Sequence, residues 1–285
     1  MITVILQGGL GNQLFQYATA KALSLKLDTT LNVNTSFFSI HKNKSWCRPY
    51  ELFIFQNIVS QDSNKLWVHL VPFLRSNSLF AKHLQKTGWI FDGDNLNKAK
   101  KNSILYGYFQ KESYFSGYRE EILKDFVFIE PLNSDNQTIA YQIAECNSVS
   151  IHIRRGDYLN SVNSHVFAEC SLSYFQQAIE YIKNNIKTPH FFFFSDDLSW
   201  VKNNFASLES SHFIDINHGK NSYNDMRLMS LCKHNIITNS TFSWWSAWLN
   251  QNPNKIVIAP KHFYKNEIKN KEIITSIYPT TWTLL

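Results

Sequence analysis

Two adjacent arginines lie in the segment HIRRGDY, residues 152–158, where an apolar stretch that predicts a strand over 148–154 ends in a polar turn. A guanidinium group donates two parallel hydrogen bonds to phosphate or carboxylate oxygens. Two such groups at a strand end are costly without an anion, so the pattern predicts a phosphate site at Arg154 and Arg155. The alternative is a solvated turn in which Arg155 pairs with Asp157.

A glycine-rich turn, GGLGN at 8–12, lies between a predicted strand over 2–6 and a predicted helix over 13–26. Glycines allow a ligand to approach the backbone, and a helix N-terminus favours negative charge. The alternative is a tight turn that simply needs small residues. A P-loop is excluded because no G-K-[ST] follows, and a dinucleotide site is disfavoured because Leu14 replaces the third glycine and no acid ends the second strand.

Three further polar features follow predicted strands in the second half. The acidic pair in FSDD, 194–197, could hold a ligand hydroxyl or a metal, but a helix cap by Asp197 is favoured. Asp225 is expected near the start of a helix. The run 239–241 precedes another predicted helix, where hydroxyls and free amides make an anion site, with N-capping by Ser240 or Thr241 as the alternative. The tryptophans of that helix are expected to pack in the core or an interface: Trp244, Trp245 and Trp248.

A D-x-D triplet, Asp92-Gly93-Asp94, offers a metal site as an alternative chemistry. In one class of sugar-transfer enzymes such a triplet holds a divalent cation against a diphosphate. Here the triplet does not follow a recognisable Rossmann core, so the prediction is that no metal is bound.

The elements that position these turns alternate between strands and helices, which predicts parallel sheets covered on both faces. Such sheets bind ligands at the carboxyl ends of their strands. The connection 128–136 is typical of a domain boundary, which gives domains 1–135 and 136–285. Residues 37–130 have no clean period; helices near 65–74 and 78–86 are expected there, and a strand over 104–109 that returns to the first sheet.

Composition narrows the class of protein. An apolar share of 44% against 18% charged residues excludes a disordered or fibrous chain. The net charge of +6 fits an anionic ligand, a membrane surface or simple solubility. Four scattered cysteines disfavour both a disulfide framework and structural zinc. With no basic n-region and no apolar run of about 18 residues, a cytoplasmic protein is expected.

Taken together, four segments resemble the α-1,2-fucosyltransferases of glycosyltransferase family 11. They are GGLGNQLFQYA at 8–18, HIRRGDY at 152–158, FSDD at 194–197 and the stretch 224–249 with its NSTFSWW. The resemblance spans nearly the whole chain, although 35–100 contributes little. It implies an α/β, GT-B-like fold with two Rossmann-like domains facing a cleft, GDP-L-fucose as the donor substrate, inversion at the anomeric carbon, and no metal or other cofactor.

The resemblance also implies roles for individual residues. His152 would contact guanine or ribose, Arg154 the β-phosphate, and Asp225 the guanine N1–H and N2–H₂ groups. Ser240 and Thr241 would bind phosphate oxygens. The full set expected to bind GDP-fucose is Gly9, Asn12, His152, Arg154, Arg155, Asp225, Ser240 and Thr241.

Inversion by direct displacement needs a group that takes the proton of the acceptor hydroxyl. Asp157 is the nearest carboxylate to the arginines in sequence, so Arg154 and Asp157 form the expected catalytic pair. The alternative role of Asp157 is to orient one of the arginines.

For the acceptor, the family implies the 2-hydroxyl of a terminal galactoside, in a bacterial enzyme that works on a surface glycan at the inner face of the membrane. A lipid-linked acceptor would bring the basic residues Lys261, Lys265, Lys269 and Lys271 near anionic lipid, although a solvated basic face is the simpler explanation. No nucleic acid partner is expected. Two competing hypotheses are a metal-dependent glycosyltransferase that uses Asp92 and Asp94, and a non-enzymatic glycan-binding protein.

Overall fold

A computed structural model describes residues 1–61, 78–92, 95–156 and 165–285 of the chain. The chain divides into two compact units, Met1–Glu130 and Pro131–Leu285. The sequence prediction placed this division at 135/136. The difference arises because a helix that begins at Ser134, capped by the side chain of Asn133, packs within the second unit.

The first unit contains a five-stranded parallel sheet in the order β3-β2-β1-β5-β4. Its strands are β1 (Ile2–Ile5), β2 (Leu31–Asn34), β3 (Ser60–Gln61), β4 (Trp89–Phe91) and β5 (Ile104–Tyr106). Its described helices are α1 (Leu10–Lys26), α2 (Ser36–His41), α3 (Ser78–Lys86) and α4 (Arg119–Asp125). Pairing of β5 with β1 confirms that the predicted strand returns to the first sheet, and α3 confirms the helix over 78–86. The helix expected near 65–74 lies outside the described residues.

The second unit contains a six-stranded parallel sheet in the order β11-β10-β9-β6-β7-β8. Its strands are β6 (Asn147–Ile153), β7 (Pro189–Ser195), β8 (Ser211–Ile214), β9 (His234–Ile236), β10 (Val257–Ala259) and β11 (Thr283–Leu284). Its described helices are α5 (Ser134–Ala144), α6 (Leu172–Asn185), α7 (Leu198–Phe205), α8 (Tyr223–Leu231), α9 (Thr241–Leu249) and α10 (Glu267–Ile277).

Four consecutive phenylalanines in β7 explain why this sheet is covered on both faces. Phe191 and Phe193 pack against α6 and α7 on one face, whereas Phe192 and Phe194 pack against α5 and α8 on the other. Successive side chains of a strand point to opposite faces, so a run of four large apolar residues requires a helical layer on each side. The predicted parallel, doubly covered sheet is confirmed.

Each sheet reverses its strand order at one place. In the second unit the chain proceeds from β6 to β7 and β8 on one side, and then returns to β9 on the other side of β6. In the first unit β1 leads to β2 and β3, and β5 returns on the other side of β1. Open parallel sheets bind ligands in the crevice outside the carboxyl ends of the strands at such a switch point. The topology therefore selects the β6/β9 and β1/β5 crevices.

The turn that follows β1 is held by two buried glutamines of α1. The Gln13 Nε2 atom donates to the carbonyls of Gly8 (2.8 Å) and Pro49 (2.9 Å), and its Oε1 accepts from the Glu51 N–H (2.9 Å). Gln16 bonds both backbone groups of Gln7. Gly8 has a φ of 77°, and a Cβ there would lie 2.7 Å from the Asn12 Nδ2 atom, so this position requires glycine. The glutamines of the GGLGNQLFQ motif are thus structural.

Two other expectations concern whole-chain properties. All four cysteines are free thiols, as their scattered spacing predicts. Over the residues that the structure describes, none of the helices combines the length and the apolarity needed to cross a bilayer.

Replacing Gln13 by Leu should strongly destabilise the protein. The side chain is 0% exposed, and the apolar replacement leaves two carbonyls and one N–H without partners. At about 1 kcal/mol for each lost bond, the free energy of unfolding should fall by about 3 kcal/mol, measured by urea denaturation. Gln56→Leu is the control, because it makes the same substitution at an exposed position of the same unit. Equal effects of the two substitutions would contradict the structural role of Gln13.

Candidate functional site

The β6/β9 crevice brings together residues from two separate sequence motifs. The Arg154 Nη1 atom donates to the Ser240 Oγ atom at 3.3 Å, and the His152 Nδ1 atom lies 3.2 Å from the Thr238 Oγ1 atom. Both pairs join the end of β6 to the segment that follows β9. The predicted neighbours His152, Arg154 and Ser240 therefore lie at one switch point, although 86 residues separate the two segments.

His152 is buried beneath this crevice, with its ring 5.7 Å from the ring of Phe242. Burial, and next the charge of Arg154, lower the pKa of His152 to about 3. The imidazole is therefore neutral at physiological pH. It can donate or accept single hydrogen bonds, but it contributes no positive charge to an anion site.

The helix α9 begins at the same crevice. Ser240 is its N-cap, and the Ser240 Oγ atom accepts from the N–H of Phe242 at 3.3 Å. Capping, the alternative interpretation of Ser240, is what the structure shows, and the same hydroxyl also accepts from Arg154. Thr241 is the first residue of α9 and is half-buried. The three tryptophans of α9 are at most 2% exposed, which confirms the prediction that they pack in the core.

Asn239 is a scaffold residue of this segment. Its side chain is 1% exposed, and its Nδ2 atom donates to the carbonyls of Ala168 (2.7 Å) and Phe263 (2.9 Å). These bonds tie two further segments, which pair with each other through the Ala168 N–H and the Phe263 carbonyl, to the start of α9. Asn239 thus positions Ser240 and Thr241.

Arg155 has surroundings quite different from those of Arg154. Its Nη1 atom lies 2.7 Å from Glu169 and its Nε atom 3.3 Å from Asp197, while the guanidinium stacks 4.4 Å from the ring centroid of Trp200. Two carboxylates already neutralise this group, and a phosphate would have to displace them. The structure thus argues against the predicted phosphate contact by Arg155 and gives this residue a role in holding the turn.

The acidic pair that follows β7 serves the same turn. Asp197 accepts from the N–H of Trp200 at 3.0 Å, which confirms that it caps α7. The Asp196 carboxylate accepts from the N–H groups of Arg155 (2.8 Å) and Gly156 (3.0 Å). Asp196 therefore fixes the backbone just before Asp157, which itself lies outside the described residues. The role predicted for Asp157 stays a prediction.

Asp225 lies in the first turn of α8, as the sequence predicts, close to the carboxyl end of β8. Its Oδ1 atom accepts from the Asn217 Nδ2 atom at 2.8 Å. Burial raises the pKa of Asp225 to about 7, although the bond from Asn217 lowers it. This carboxylate therefore changes its charge near neutral pH.

The first unit places Gly9 and Asn12 at the β1/β5 crevice. Gly9 is the N-cap of α1, but the N–H of Leu10 donates to the Glu51 carboxylate at 2.8 Å. The anion at this helix start is therefore an acid of the chain itself, which corrects the expectation of an open anion site there. The Asn12 Oδ1 atom accepts from the Gln110 Nε2 atom at 2.8 Å. These two residues present an uncharged polar surface.

The D-x-D triplet does not present Asp92 to a metal. Both carboxylate oxygens of Asp92 accept backbone N–H groups, those of Tyr108 and of Phe109 (2.6 Å for Phe109). A Cβ at Gly107 would lie 2.6 Å from the Asp92 Cγ atom, so this turn is built around the carboxylate. Gly93 and Asp94 lie outside the described residues. Among the residues that are described, no group of three or more His, Cys, Asp or Glu side chains could hold a metal ion.

Sequence reasoning missed several residues that build these sites. Thr238, Glu169, Glu51 and Asn217 each contact a residue that was singled out, but their spacing along the chain carries no signal of this. Only Asn217 has a local indication, since it stands at a strand end together with Asp215.

Asp225→Asn should stabilise the ligand-free protein at pH 8 and not at pH 4. The pKa of this acid is raised from 3.8 to about 7 on folding, so the folded state is not penalised below pH 3.8 and loses stability as pH rises toward and through 7. The amide removes this loss, and we expect a gain of about 1–3 kcal/mol at pH 8 in urea denaturation. Glu209→Gln, at an exposed acid of the same unit that is not among the groups shifting the pKa of Asp225, is the control. An equal gain at both pH values would show that the substitution acts through packing instead.

Comparison with known proteins agrees with the four motifs. The family model described as glycosyl transferase family 11 matches residues 1–285. Relatives include an Escherichia coli O-antigen biosynthesis glycosyltransferase, WbnK, 34% identical over 93% of this chain and 96% of its own length. An E. coli α-1,2-colitosyltransferase is 32% identical over 95% of this chain and 94% of its own. The human galactoside α-(1,2)-fucosyltransferase 1 is 24% identical over 87% of this chain and 65% of its own.

Among solved structures, the NodZ α-1,6-fucosyltransferase soaked with GDP-fucose superposes with a TM-score of 0.53 at 13% identity, over 87% of this chain and 92% of its own. At that identity the likeness concerns the fold, and it supports the GT-B-like class. The relatives named above are transferases, so the hypothesis of a non-enzymatic glycan-binding protein is set aside. The family match over the full chain shows that this protein is a glycosyltransferase and belongs to glycosyltransferase family 11.

Proposed function

We propose that the protein transfers L-fucose from GDP-L-fucose to the 2-hydroxyl of a terminal galactoside, with inversion, to form an α-1,2 linkage. The observation that carries the proposal is the hydrogen bond between Arg154 and Ser240 at the start of α9, in the β6/β9 crevice. This pair offers a guanidinium and a helix N-terminus at the place where the topology favours a ligand. A nucleoside diphosphate is the ligand that matches both groups.

The Arg154 guanidinium and the start of α9 bind the diphosphate in this proposal. As the glycosidic bond to the sugar stretches, negative charge develops on the leaving β-phosphate. A fixed guanidinium, the Thr241 hydroxyl and the free N–H groups of a helix stabilise that charge without reorganisation. No metal is required for this role, and the expectation of metal-independent transfer stays part of the proposal.

Asp225 and His152 bind the nucleoside. Guanine presents N1–H and N2–H₂ side by side, and an ionised carboxylate accepts both, whereas adenine has no such pair of donors. Because the pKa of Asp225 is raised to about 7, binding should strengthen as pH rises through neutrality. Neutral His152 completes the nucleoside site with single hydrogen bonds and no charge.

The acceptor hydroxyl must lose a proton during the transfer. We assign this proton to Asp157, which follows the turn that Asp196 and Arg155 hold in place. If Asp157 instead orients Arg154, its removal should weaken GDP binding and turnover equally. A general base would lower the turnover rate much more than the affinity for GDP.

We assign acceptor binding to the first unit. The turns beside its β1/β5 crevice carry uncharged groups that suit sugar hydroxyls and ring faces, namely Gly9, Asn12, Gln110 and the 41% exposed Tyr108. The resemblance places Gly9 and Asn12 on GDP-fucose; because the Glu51 carboxylate already occupies the helix start beside Gly9, we assign both residues to the acceptor instead. The negative charge of the donor belongs instead with the second unit, where Arg154 lies.

The donor assignment is tested by calorimetric titration with GDP in the presence of EDTA. We expect saturable binding by the native protein, and a loss of transfer rate of about 100-fold or more for Arg154→Ala, because one phosphate donor is removed. Arg154→Lys should recover part of this loss, since it keeps the charge but not the paired donors. Lys183→Ala is the matched control, because it removes one exposed positive charge from the last turn of α6. A silent GDP titration, or full activity of Arg154→Ala, would refute the assignment.

A second candidate donor is GDP-colitose, and the 32% identical α-1,2-colitosyltransferase favours it. Colitose is fucose without the 3-hydroxyl, so both sugars present the same leaving group and the same anomeric carbon. Arg154, Asp225 and the start of α9 do not contact the sugar in this proposal and therefore do not distinguish the two donors.

Competition between the two donors identifies the sugar. We expect kcat/KM for GDP-fucose to exceed that for GDP-colitose by about tenfold or more, since a site built around a hydroxyl rejects the analogue that lacks it. The assay uses a panel of galactosides, with linkage analysis of the product. A preference for GDP-colitose would refute GDP-fucose as the donor. A product linked elsewhere than at a galactose 2-hydroxyl would refute the proposed acceptor position.

A further inference from the structure

Two buried asparagines pair with each other beside Asp225. Asn136 on α5 is 0% exposed, and Asn217, which follows β8, is 7% exposed. The Asn136 Nδ2 atom donates to the Asn217 Oδ1 atom at 2.9 Å, and the Asn217 Nδ2 atom donates to the Asn136 Oδ1 atom at 2.9 Å. Buried amides with this reciprocal geometry hold both side chains in one orientation.

Each amide nitrogen in this pair donates its second hydrogen to a further side-chain oxygen. Asn136 donates that hydrogen to the Asn133 Oδ1 atom at 2.8 Å, and Asn217 donates its own to the Asp225 Oδ1 atom at 2.8 Å. A reversed Asn217 amide would place a carbonyl oxygen against a carboxylate. The chain of donors therefore locks the Asn217 N–H toward Asp225.

The Asp225 carboxylate is the end of this chain of donors and is half-buried. Its Oδ1 atom keeps one lone pair after accepting from Asn217, and within the described residues its Oδ2 atom accepts no hydrogen bond. A carboxylate held at one oxygen presents both oxygens in a set plane. That geometry suits a ligand with two parallel donors.

Resting on the proposed function, we propose that Asn217, held by Asn136, is a positioning residue that sets the plane of the Asp225 carboxylate for the N1–H and N2–H₂ donors of the guanine base. Asn217 does not touch the nucleotide in this proposal. It acts only through Asp225.

Asp225 has two charged neighbours, His218 and Asp215, and one neutral hydrogen-bond donor, Asn217. His218 lowers the pKa of Asp225 and Asp215 raises it, and these two side chains form an exposed pair at 3.5 Å. The bond from Asn217 favours the ionised form. Loss of Asn217 should therefore both release the carboxylate plane and make the acid harder to ionise.

The test compares GDP with inosine 5′-diphosphate, which lacks only the 2-amino group of guanine. We expect the native protein to bind GDP about tenfold or more tightly than the inosine nucleotide, since a charge-assisted hydrogen bond is lost. Asn217→Ala should reduce this ratio to about threefold or less. It should also move the pH midpoint of GDP binding upward by about half a unit or more.

Two further variants separate positioning from folding. Asn136→Ala leaves Asn217 in the chain but removes its support, so its GDP-to-inosine ratio should lie between those of the native protein and Asn217→Ala. Asn250→Ala is the matched control: this buried amide bonds Asn235 and the Cys232 carbonyl, in the segment that precedes and begins β9. It should lower stability and leave both the ratio and the pH midpoint unchanged.

Three results would overturn the inference in distinguishable ways. If the native protein does not bind GDP, the proposed function fails and the inference fails with it. If the native protein prefers GDP but Asn217→Ala keeps the native ratio and pH midpoint, only the positioning role is overturned. If Asn250→Ala changes the ratio as much as Asn217→Ala does, the effect is one of general destabilisation.

Discussion

The candidate site depends on the hydrogen bond between Arg154, which follows β6, and Ser240, which follows β9. From β6 the chain continues to one side of the sheet, and β9 lies on the other side of β6. β6 and β9 are neighbours in the sheet but lie far apart in the chain, so their carboxyl ends meet only because the two strands pair. A guanidinium at one strand end and a helix start at the other then converge on one crevice. Asn239 anchors the helix start, and the Asp196 carboxylate accepts from the two backbone N–H groups that follow Arg154.

The sequence predicts the architecture of the second unit well because the signals there are strong. The four phenylalanines of β7 can be buried only between two helical layers, and the regular alternation that follows them requires parallel strands. The first unit is harder to predict because its later strands have only two or three residues, too few to show a period. Short elements such as α2 and α4 obtain their stability from tertiary packing and leave little trace in the local sequence.

Site residues divide in the same way. The meeting of His152, Arg154 and Ser240 at one crevice could be predicted because each follows or ends an element that the sequence predicts, and parallel strands end at the same edge of a sheet. The residues that hold the surrounding turns could not be predicted, since the local sequence carries no signal for hydrogen bonds such as those from the Leu10 N–H to Glu51, from Arg155 to Glu169 and from Asn217 to Asn136. The same limit explains Arg155: its type suggests a phosphate ligand, while the two acids that neutralise it lie 14 and 42 residues further along the chain.

The burial of Asn239 has a practical consequence for producing this protein. Asn239-Ser240-Thr241 is a sequon for N-linked glycosylation, yet its amide is 1% exposed and donates to two carbonyls in the folded chain. In a eukaryotic secretory pathway, N-glycosylation takes place before the chain folds. A glycan attached to this amide could not be accommodated in the folded second unit. Expression hosts that lack this modification, or cytosolic expression in those that have it, avoid that conflict.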